Sequence, residues 1–482
     1  MFKNEQQMRA KVTRPLFAEP TFAEGIPTAD PKQFDVTPND SADYTAQVKA
    51  LLKTEVVSFP QAKGSPGDQY LLQDALGAHG PDLVQVINGY KSISFHVVGD
   101  SGASAMKNFL GMIHVSDALT DDFHAANEES RPAFLYHLGD LVYNFGESNY
   151  YYDQFYDPYR NYPAPIFAIP GNHDSFVLPG TPKGSEPLTI FQRNFCATQL
   201  AVTREAGSLH RSAMMQPGVY FALDAPFVRI IGLFSNALED PGVISSQATE
   251  PTSMAKSLAA TVASPKTKGK GLDAITGTKN KEIKTWPAVP DYQLAFLTAQ
   301  LQKIKDTNYQ GAVIVAVHHP PFSYGVQGAG SSGANHYGSP LMLAEIDAIC
   351  DQTGVYPHAI ISGHAHNYQR YTRKLTFHGQ KYSVPFIICG DSGHNINSLV
   401  DSRYSPKPPE PGDNVDVSYM DASSRFQSTS LMLNRHDQTN YGYLKCTVTA
   451  SKVTISFNGV PKKGPSPKPD TVTIDIASHT CS

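Results

Sequence analysis

Five short strings in this sequence carry side chains of cation-binding type. In chain order they are GDSG with Asp100, GDLVY with Asp140 and Tyr143, GNHD with Asn172 and His173, VAVHH with His318, and GHAH with His364 and His366. Taken singly each is weak, because an Asp after Gly is an ordinary turn residue and a lone His beside a strand is usually a hydrogen-bonded neighbour. Together they form a different pattern. Each ends an apolar run, and independent turn chemistry has no reason to select Asp, Asn and His in the same chain. Carboxylate, amide and imidazole donors in this combination point to bound metal ions.

The elements that must position these groups are strands. Short apolar, β-branched runs recur from Ser92 onward, each ending in Gly, Asp, Asn or His: Ser94–Val98, Ala133–Leu138, Pro165–Ile169, Phe227–Phe234, Ala312–Val317, Ala359–Ser362 and Val384–Cys389. Helix-length stretches lie between several of them, at Asn149–Tyr159, Leu188–Cys196, Asp291–Lys305 and Pro340–Gln352. This alternation predicts an α/β fold. Ligands of open α/β sheets bind at strand ends, so loops spread over 267 residues can still converge on one site. Tyr443–Val448 and Lys452–Phe457 read as two further strands around a turn, with Thr471–Ile476 as another.

Residues 1–90 lack a sustained apolar period and are expected to form an extension wrapped on a core. Residues 91–482 are expected to form the catalytic domain, with a Lys-rich surface insertion at about 240–290, a Pro-rich polar segment at 401–437 and strands after 440. Lys plus Arg numbers 39 against 44 Asp plus Glu. With no dense basic block, nucleic acid is excluded as a partner. No apolar run approaches the roughly 18 residues that span a bilayer, so no membrane partner is expected and the chain should be soluble. The first residues lack a signal-length apolar core, which suggests an intracellular chain or one whose leader has been removed. Oligomeric state is left open. Five widely spaced cysteines without a C-x-x-C pair argue against thiolate metal sites and a disulfide framework. Cys350, Cys389 and Cys446 read as core residues, and at most one disulfide is expected.

The ordered set resembles the metallophosphoesterase (calcineurin-like) superfamily, and its form resembles the purple acid phosphatases, whose GDxG, GDxxY, GNH, VxxH and GHxH motifs are all matched here. The resemblance covers roughly residues 92–400, with the Tyr443–Phe457 strands in support. It implies a β-sandwich flanked by helices, with metal ligands on loops at strand ends. No fibronectin-like N-terminal domain of the plant enzymes is visible, and the insertion at 240–290 is not part of the family core. Most of the superfamily places a His two residues after the first Asp. Gly102 stands there in this chain, and Tyr143 is the substitute that the purple acid phosphatase pattern supplies.

By this resemblance, one metal takes Asp100, Tyr143 and His366, the other takes Asn172, His318 and His364, and Asp140 bridges them. Anionic oxygen donors suit Fe(III), and imidazoles with an amide suit a divalent ion such as Zn, Fe or Mn. A phenol titrates near 10, so only a strongly Lewis-acidic ion would keep Tyr143 ionised in acid. The family's purple colour comes from that tyrosinate-to-iron charge transfer. The implied activity is hydrolysis of small-molecule phosphate monoesters by attack of a metal-bound hydroxide. His173, beside ligand Asn172, is the implied general acid. His336 resembles the family's second non-ligand histidine, with His319 as its competitor. His318 is preferred over His319 as the ligand because Val315–His318 matches VxxH and Pro320 follows. Tyr368, Arg370 and Asn144 are candidates for the phosphate pocket, with packing or surface roles equally open. The rival readings are a phosphodiesterase of the same superfamily, acid sphingomyelinase-like or acting on cyclic nucleotides, and a non-catalytic phosphate-binding metalloprotein. G-D-S-G, present at 99–102 and 390–393, is also a serine-protease string, but neither copy continues as that motif requires.

Overall fold

The computed structural model describes residues 18–19, 69–103, 106–143, 145–175, 188–207, 209–235, 244, 292–324, 326–327, 334–336, 338–399, 410–414 and 428–482. Among these residues, fifteen strands build two large sheets. In chain order they are β1 (Gln69–Leu71), β2 (Ser92–Val98), β3 (Pro132–His137), β4 (Ile166–Ala168), β5 (Phe221–Ala225), β6 (Val228–Leu233), β7 (Ala312–Val317) and β8 (Ala359–Ser362). They continue as β9 (Tyr368–Phe377), β10 (Gln380–Cys389), β11 (Ser428–Asp437), β12 (Tyr441–Thr449), β13 (Lys452–Val460), β14 (Asp470–Asp475) and β15 (Thr480–Cys481). The seven-stranded sheet has the order β15-β14-β13-β12-β2-β3-β4, and the eight-stranded sheet β11-β9-β10-β8-β7-β6-β5-β1.

Each sheet has a parallel centre. In one, β2, β3 and β4 run parallel; in the other β6, β7, β8 and β10 do. Strands buried on both faces read as continuous apolar runs. β2, β3, β6, β7 and β8 are buried at every position. Antiparallel strands extend the sheets outward, and there the alternation appears: β13 buries every second residue. One continuous apolar core includes Phe95, Phe134, Tyr136, Ile230, Val315 and Ile387.

Helices connect the parallel strands, with α1 at Gly80–Tyr90, α2 at Met106–Ala125, α3 at Thr189–Phe195, α4 at Tyr292–Asp306 and α5 at Pro340–Thr353. α5 is closed at both ends. Ser339 Oγ accepts the Met342 N–H (3.2 Å), Pro340 opens the first turn, and Gly354 ends the helix at φ +74°.

The result is the expected mixed α/β fold, two sheets flanked by helices, with several differences in detail. The helix expected at Asn149–Tyr159 is instead a 3-10 turn, Ser148–Tyr150, followed by a π-helical turn, Tyr152–Tyr156. There the Asp157 N–H reaches the carbonyl of Tyr152, five residues back (2.8 Å). The end of the polar segment at 401–437 is strand β11, paired along β9. Of residues 1–90, 69–90 supply the edge strand β1, which pairs with β5, and helix α1, while Ala18–Glu19 pair with His210–Arg211. The insertion at 240–290 lies outside the described residues except Ile244, which is buried. All five cysteines are free thiols, four of them buried. Among the described residues no helix is long and apolar enough to cross a membrane.

Candidate metal centre

Three strands of one sheet and two of the other end in loops that converge. β2 leads to Asp100, β3 to Asp140 and Tyr143, and β4 to Asn172; from the other sheet, β7 leads to His318 and β8 to His364 and His366. The two sheets meet here through hydrogen bonds as well: the Ser392 N–H donates to the Gly99 carbonyl (3.2 Å), and the His364 N–H to Asp100 Oδ2 (2.8 Å).

A shared local device aims the donors. Asp100, Asp140 and His364 each follow a glycine and adopt φ of +55°, +56° and +65°. Such left-handed backbone is uncommon outside glycine and concentrates at functional sites. The preceding and facing glycines allow the loops to touch. A β-carbon at Gly171 would lie 2.1 Å from Asp140 Oδ1, and one at Gly363 would lie 2.5 Å from Asp100 Oδ2.

Two donor clusters result, joined by one oxygen. In the first, Tyr143 Oη lies 2.9 Å from Asp140 Oδ2, 3.3 Å from Asp100 Oδ1 and 3.3 Å from His366 Nε2. One ligand atom from each of Asp100, Asp140 and His366 lies within 4.8 Å of the other two. In the second, Asn172 Oδ1 is 3.0 Å from both His318 Nε2 and His364 Nδ1. Asp140 Oδ2, already against Tyr143, is 3.4 Å from His318 Nε2. His318 is oriented for this, because its Nδ1 donates to the Leu138 carbonyl (2.8 Å) and Nε2 is left facing the cluster. All seven predicted ligands therefore come together, although they arise from five separate loops.

Crowded together, these donors perturb one another's titration. Burial alone would raise Asp140, but the fields of His318, His173 and His364 and the His318 hydrogen bond hold it well below the usual carboxylate range. Burial disfavours a charged His318, yet Asp140, Asp100 and the Leu138 carbonyl push it up to about 9. Burial and the carboxylates of Asp140 and Asp100 drive Tyr143 well above an ordinary phenol, so it serves as a hydrogen-bond donor. Two carboxylates, a phenol and imidazoles, buried with polar atoms 2.9–3.4 Å apart, form a donor set that fits two cations sharing a carboxylate.

The histidines expected outside the ligand set lie beside the two clusters. His173 is half-buried, with its ring 4.3 Å from that of Tyr143, and its backbone N–H donates to Asp140 Oδ1 (2.9 Å). His336, also half-buried and at φ +58°, lies 4.3 Å from His364 and 5.3 Å from His366, ring to ring. Its rival His319 is 1 % exposed, with its ring 4.1 Å from His364 and 5.0 Å from His318. Burial and those two imidazoles hold it well below the usual histidine range.

Arg370 and Tyr368 do not line the site. Both turn to Asp470 on β14, Arg370 through Nε (2.7 Å) and Nη2 (2.9 Å), Tyr368 through its hydroxyl (2.8 Å). Arg370 sits two positions along β9 from Tyr368, so the two side chains leave the same face. Asn144 lies outside the described residues. Ser101 is buried on His137 Nε2 (2.7 Å), and His137 Nδ1 accepts the Gly139 N–H (3.1 Å). With no exposure and no carboxylate behind the imidazole, this Ser–His pair ties two loops together and is not a nucleophile.

Three supporting residues were not singled out from sequence. Gln154, on the π-helical turn, brackets Tyr143: its Oε1 accepts the Tyr143 N–H (2.9 Å) and its Nε2 donates to the Tyr143 carbonyl (3.0 Å). A β-carbon at Gly102 would lie 2.7 Å from that Oε1 and 2.5 Å from the Leu141 carbonyl, so this position has no room for a side chain as large as His. Asp174, the last residue of GNHD, is buried and accepts N–H groups from Asp140 (2.8 Å), Leu141 (3.1 Å), Val142 (3.2 Å) and Gly171 (2.9 Å). Burial and the Asp140 charge push it up to about 7 against those donors. His394 stacks on Tyr143 at 3.7 Å and 11°, with its Nδ1 donating to the Gly102 carbonyl (2.9 Å). It closes the string GDSGH after β10, the second G-D-S-G, which is a sixth strand end at the same centre. The two copies are in contact: Gly99 N–H donates to Ser392 Oγ (3.2 Å), and His394 N–H to the Asp100 carbonyl (2.9 Å).

Residues 93–236 match the model of the calcineurin-like phosphoesterase family. That stretch carries the loops of Asp100, Asp140, Tyr143, Asn172 and His173, half of the centre. No curated protein matches the chain. Among solved structures, one described as GAP50, the anchor in the inner membrane complex of Plasmodium, is 12% identical with a TM-score of 0.40, covering 79% of this chain and 88% of its own. A structure of PhoD is 10% identical with a TM-score of 0.40, covering 80% of this chain and 70% of its own.

Proposed function

We propose that this chain is a hydrolase of phosphate monoesters that works with two cations. Asp100, Tyr143 and His366 would hold one, Asn172, His318 and His364 the other, and Asp140 both. The observation that carries the reading is the single oxygen, Asp140 Oδ2, placed 2.9 Å from Tyr143 Oη and 3.4 Å from His318 Nε2. When bound, such a pair of ions activates water and neutralises charge on the phosphate. The first cluster, with three anionic oxygen donors once Tyr143 ionises, suits Fe(III); the second suits Zn, Fe or Mn in the divalent state.

The remaining chemistry belongs to side chains. His173, beside Asn172, is placed to pass a proton to the departing alkoxide. His336, beside His364, would contact a phosphate oxygen. His394 and Gln154 hold the Tyr143 phenol from its ring face and its backbone, and Asp174 holds the loop that carries Asp140.

Metal analysis of protein purified without added metals, read with its visible spectrum, tests the proposal. One iron, one divalent ion and a phenolate band are expected, with iron, the band and activity lost together in His366→Ala. Two identical divalent ions without colour would reject the iron assignment, and faster turnover of diester than monoester aryl phosphates would favour the phosphodiesterase reading.

A further inference from the structure

His319 has no role in the scheme above, yet it is built into the same centre. It follows His318 directly at the end of β7, is 1 % exposed, and has its ring wedged at 4.1 Å and 46° from that of His364. Ser235, just past the end of β6, fixes it twice. Ser235 Oγ accepts the His319 backbone N–H (3.2 Å) and is hydrogen-bonded to the ring at Nδ1. The other ring nitrogen, Nε2, is buried without a partner.

A buried imidazole nitrogen without a partner costs about 1–3 kcal/mol, and an apolar side chain would fill the same space without that cost. One ligand atom from each of His318, His319 and His364 lies within 4.8 Å of the other two. The geometry points to His319 as a fifth donor of the second cluster: its Nε2 joins Asn172 Oδ1, His318 Nε2, His364 Nδ1 and the shared Asp140 in holding the divalent ion. The inference rests on the dinuclear reading and deepens it. Three imidazoles make the second cluster rich in nitrogen, which favours Zn(II) over Mn(II). Ser235 is then the outer partner that fixes the ring's orientation, as hydrogen-bonded groups commonly do for metal-binding histidines.

Zinc and manganese titrations of the full chain, wild type and His319→Gln, test this by competition with a chelating dye. The wild type is expected to take two ions and to prefer zinc at the second. The variant should lose at least about tenfold in that preference, because losing a nitrogen donor weakens zinc more than manganese. Equal weakening of both metals, or none, overturns the inference, as does unchanged metal binding with weakened binding of inorganic phosphate. A wild type that takes no second ion refutes the dinuclear reading itself. Should the variant fold poorly, wild-type protein labelled with 15N in its imidazoles decides: four histidines should acquire zinc-bound shifts, and three would refute the assignment.

Discussion

Replacing Gln154 by Leu isolates the support of Tyr143 without altering any charge. Gln154 is fully buried and spans the Tyr143 peptide with two hydrogen bonds of 2.9 and 3.0 Å. Leu is close to Gln in size, so little cavity forms, but the Tyr143 N–H and C=O both lose their partner. Each buried backbone group left unpaired costs about 1–3 kcal/mol, offset in part by the easier burial of Leu. A net loss of about 2–4 kcal/mol is expected, a large fraction of the roughly 5–15 kcal/mol that holds a domain together. Urea unfolding read by linear extrapolation measures it, with an unchanged slope showing that the folded and unfolded states are comparable. The damage should be local in function: iron and the phenolate band fall more than the divalent ion, because Asn172, His318 and His364 stand on other loops. A variant within about 0.5 kcal/mol of wild type, with full colour, would refute the bracketing role.

In His173→Ala, turnover of phosphate esters with poor leaving groups should fall by about 10²–10⁴-fold, the usual range for a general acid, with a smaller loss on activated aryl phosphates; equal losses argue against proton donation. His318, raised to about 9 in the metal-free protein, carries a proton at pH 7 that a cation must displace. Calorimetric titration at pH 7 in buffers of different ionisation enthalpy should therefore detect a released proton, with zinc affinity rising toward pH 9, and no release would contradict the assignment. Because this folded-state value lies above the unfolded one, near 6.5, its stabilisation of the metal-free protein is full below about 6.5 and fades as pH rises through 9. Asp140, held low, contributes above its unfolded value and loses that contribution in acid, so chelated protein should unfold at the highest urea concentration between about pH 4 and 6.5. Away from the centre, Arg373 forms a fully buried fork on Asp347 (2.9 and 2.8 Å) that Tyr356 joins. Arg373→Met should cost about 3–5 kcal/mol in urea unfolding, since it strands a buried carboxylate; a loss below 1 kcal/mol would contradict that.

Much of the centre was legible in the linear chain because its grammar is local. An apolar run followed by Gly-Asp or Gly-His describes a buried parallel strand and a tight turn whose next residue is forced into left-handed backbone, and Asp100, Asp140 and His364 obey it. The same grammar was present after Val384–Cys389, in GDSGH, where the sixth strand end and His394 were there to be found. Helix α2 carried a signal too, with Met112, Val115, Leu119 and Phe123 buried at three- and four-residue spacing, weakened by Gly111 and β-branched neighbours. Strand β9 was hidden for another reason. Its Arg370, Arg373 and Lys374 disguise an interior strand, and the place of the two arginines in it depends on Asp470, 100 residues from Arg370, and on Asp347, 26 residues from Arg373. Residue types and their order along the chain thus determined which donors could meet and at which strand ends, because turn geometry and burial act over a few residues. Only the tertiary structure decided that Asp140 Oδ2 stands between Tyr143 and His318, that a π-helical turn brings Gln154 onto Tyr143 and that Ser235 holds the His319 ring beside His364, because those contacts depend on how turns and strands pack in space and not on residue order alone.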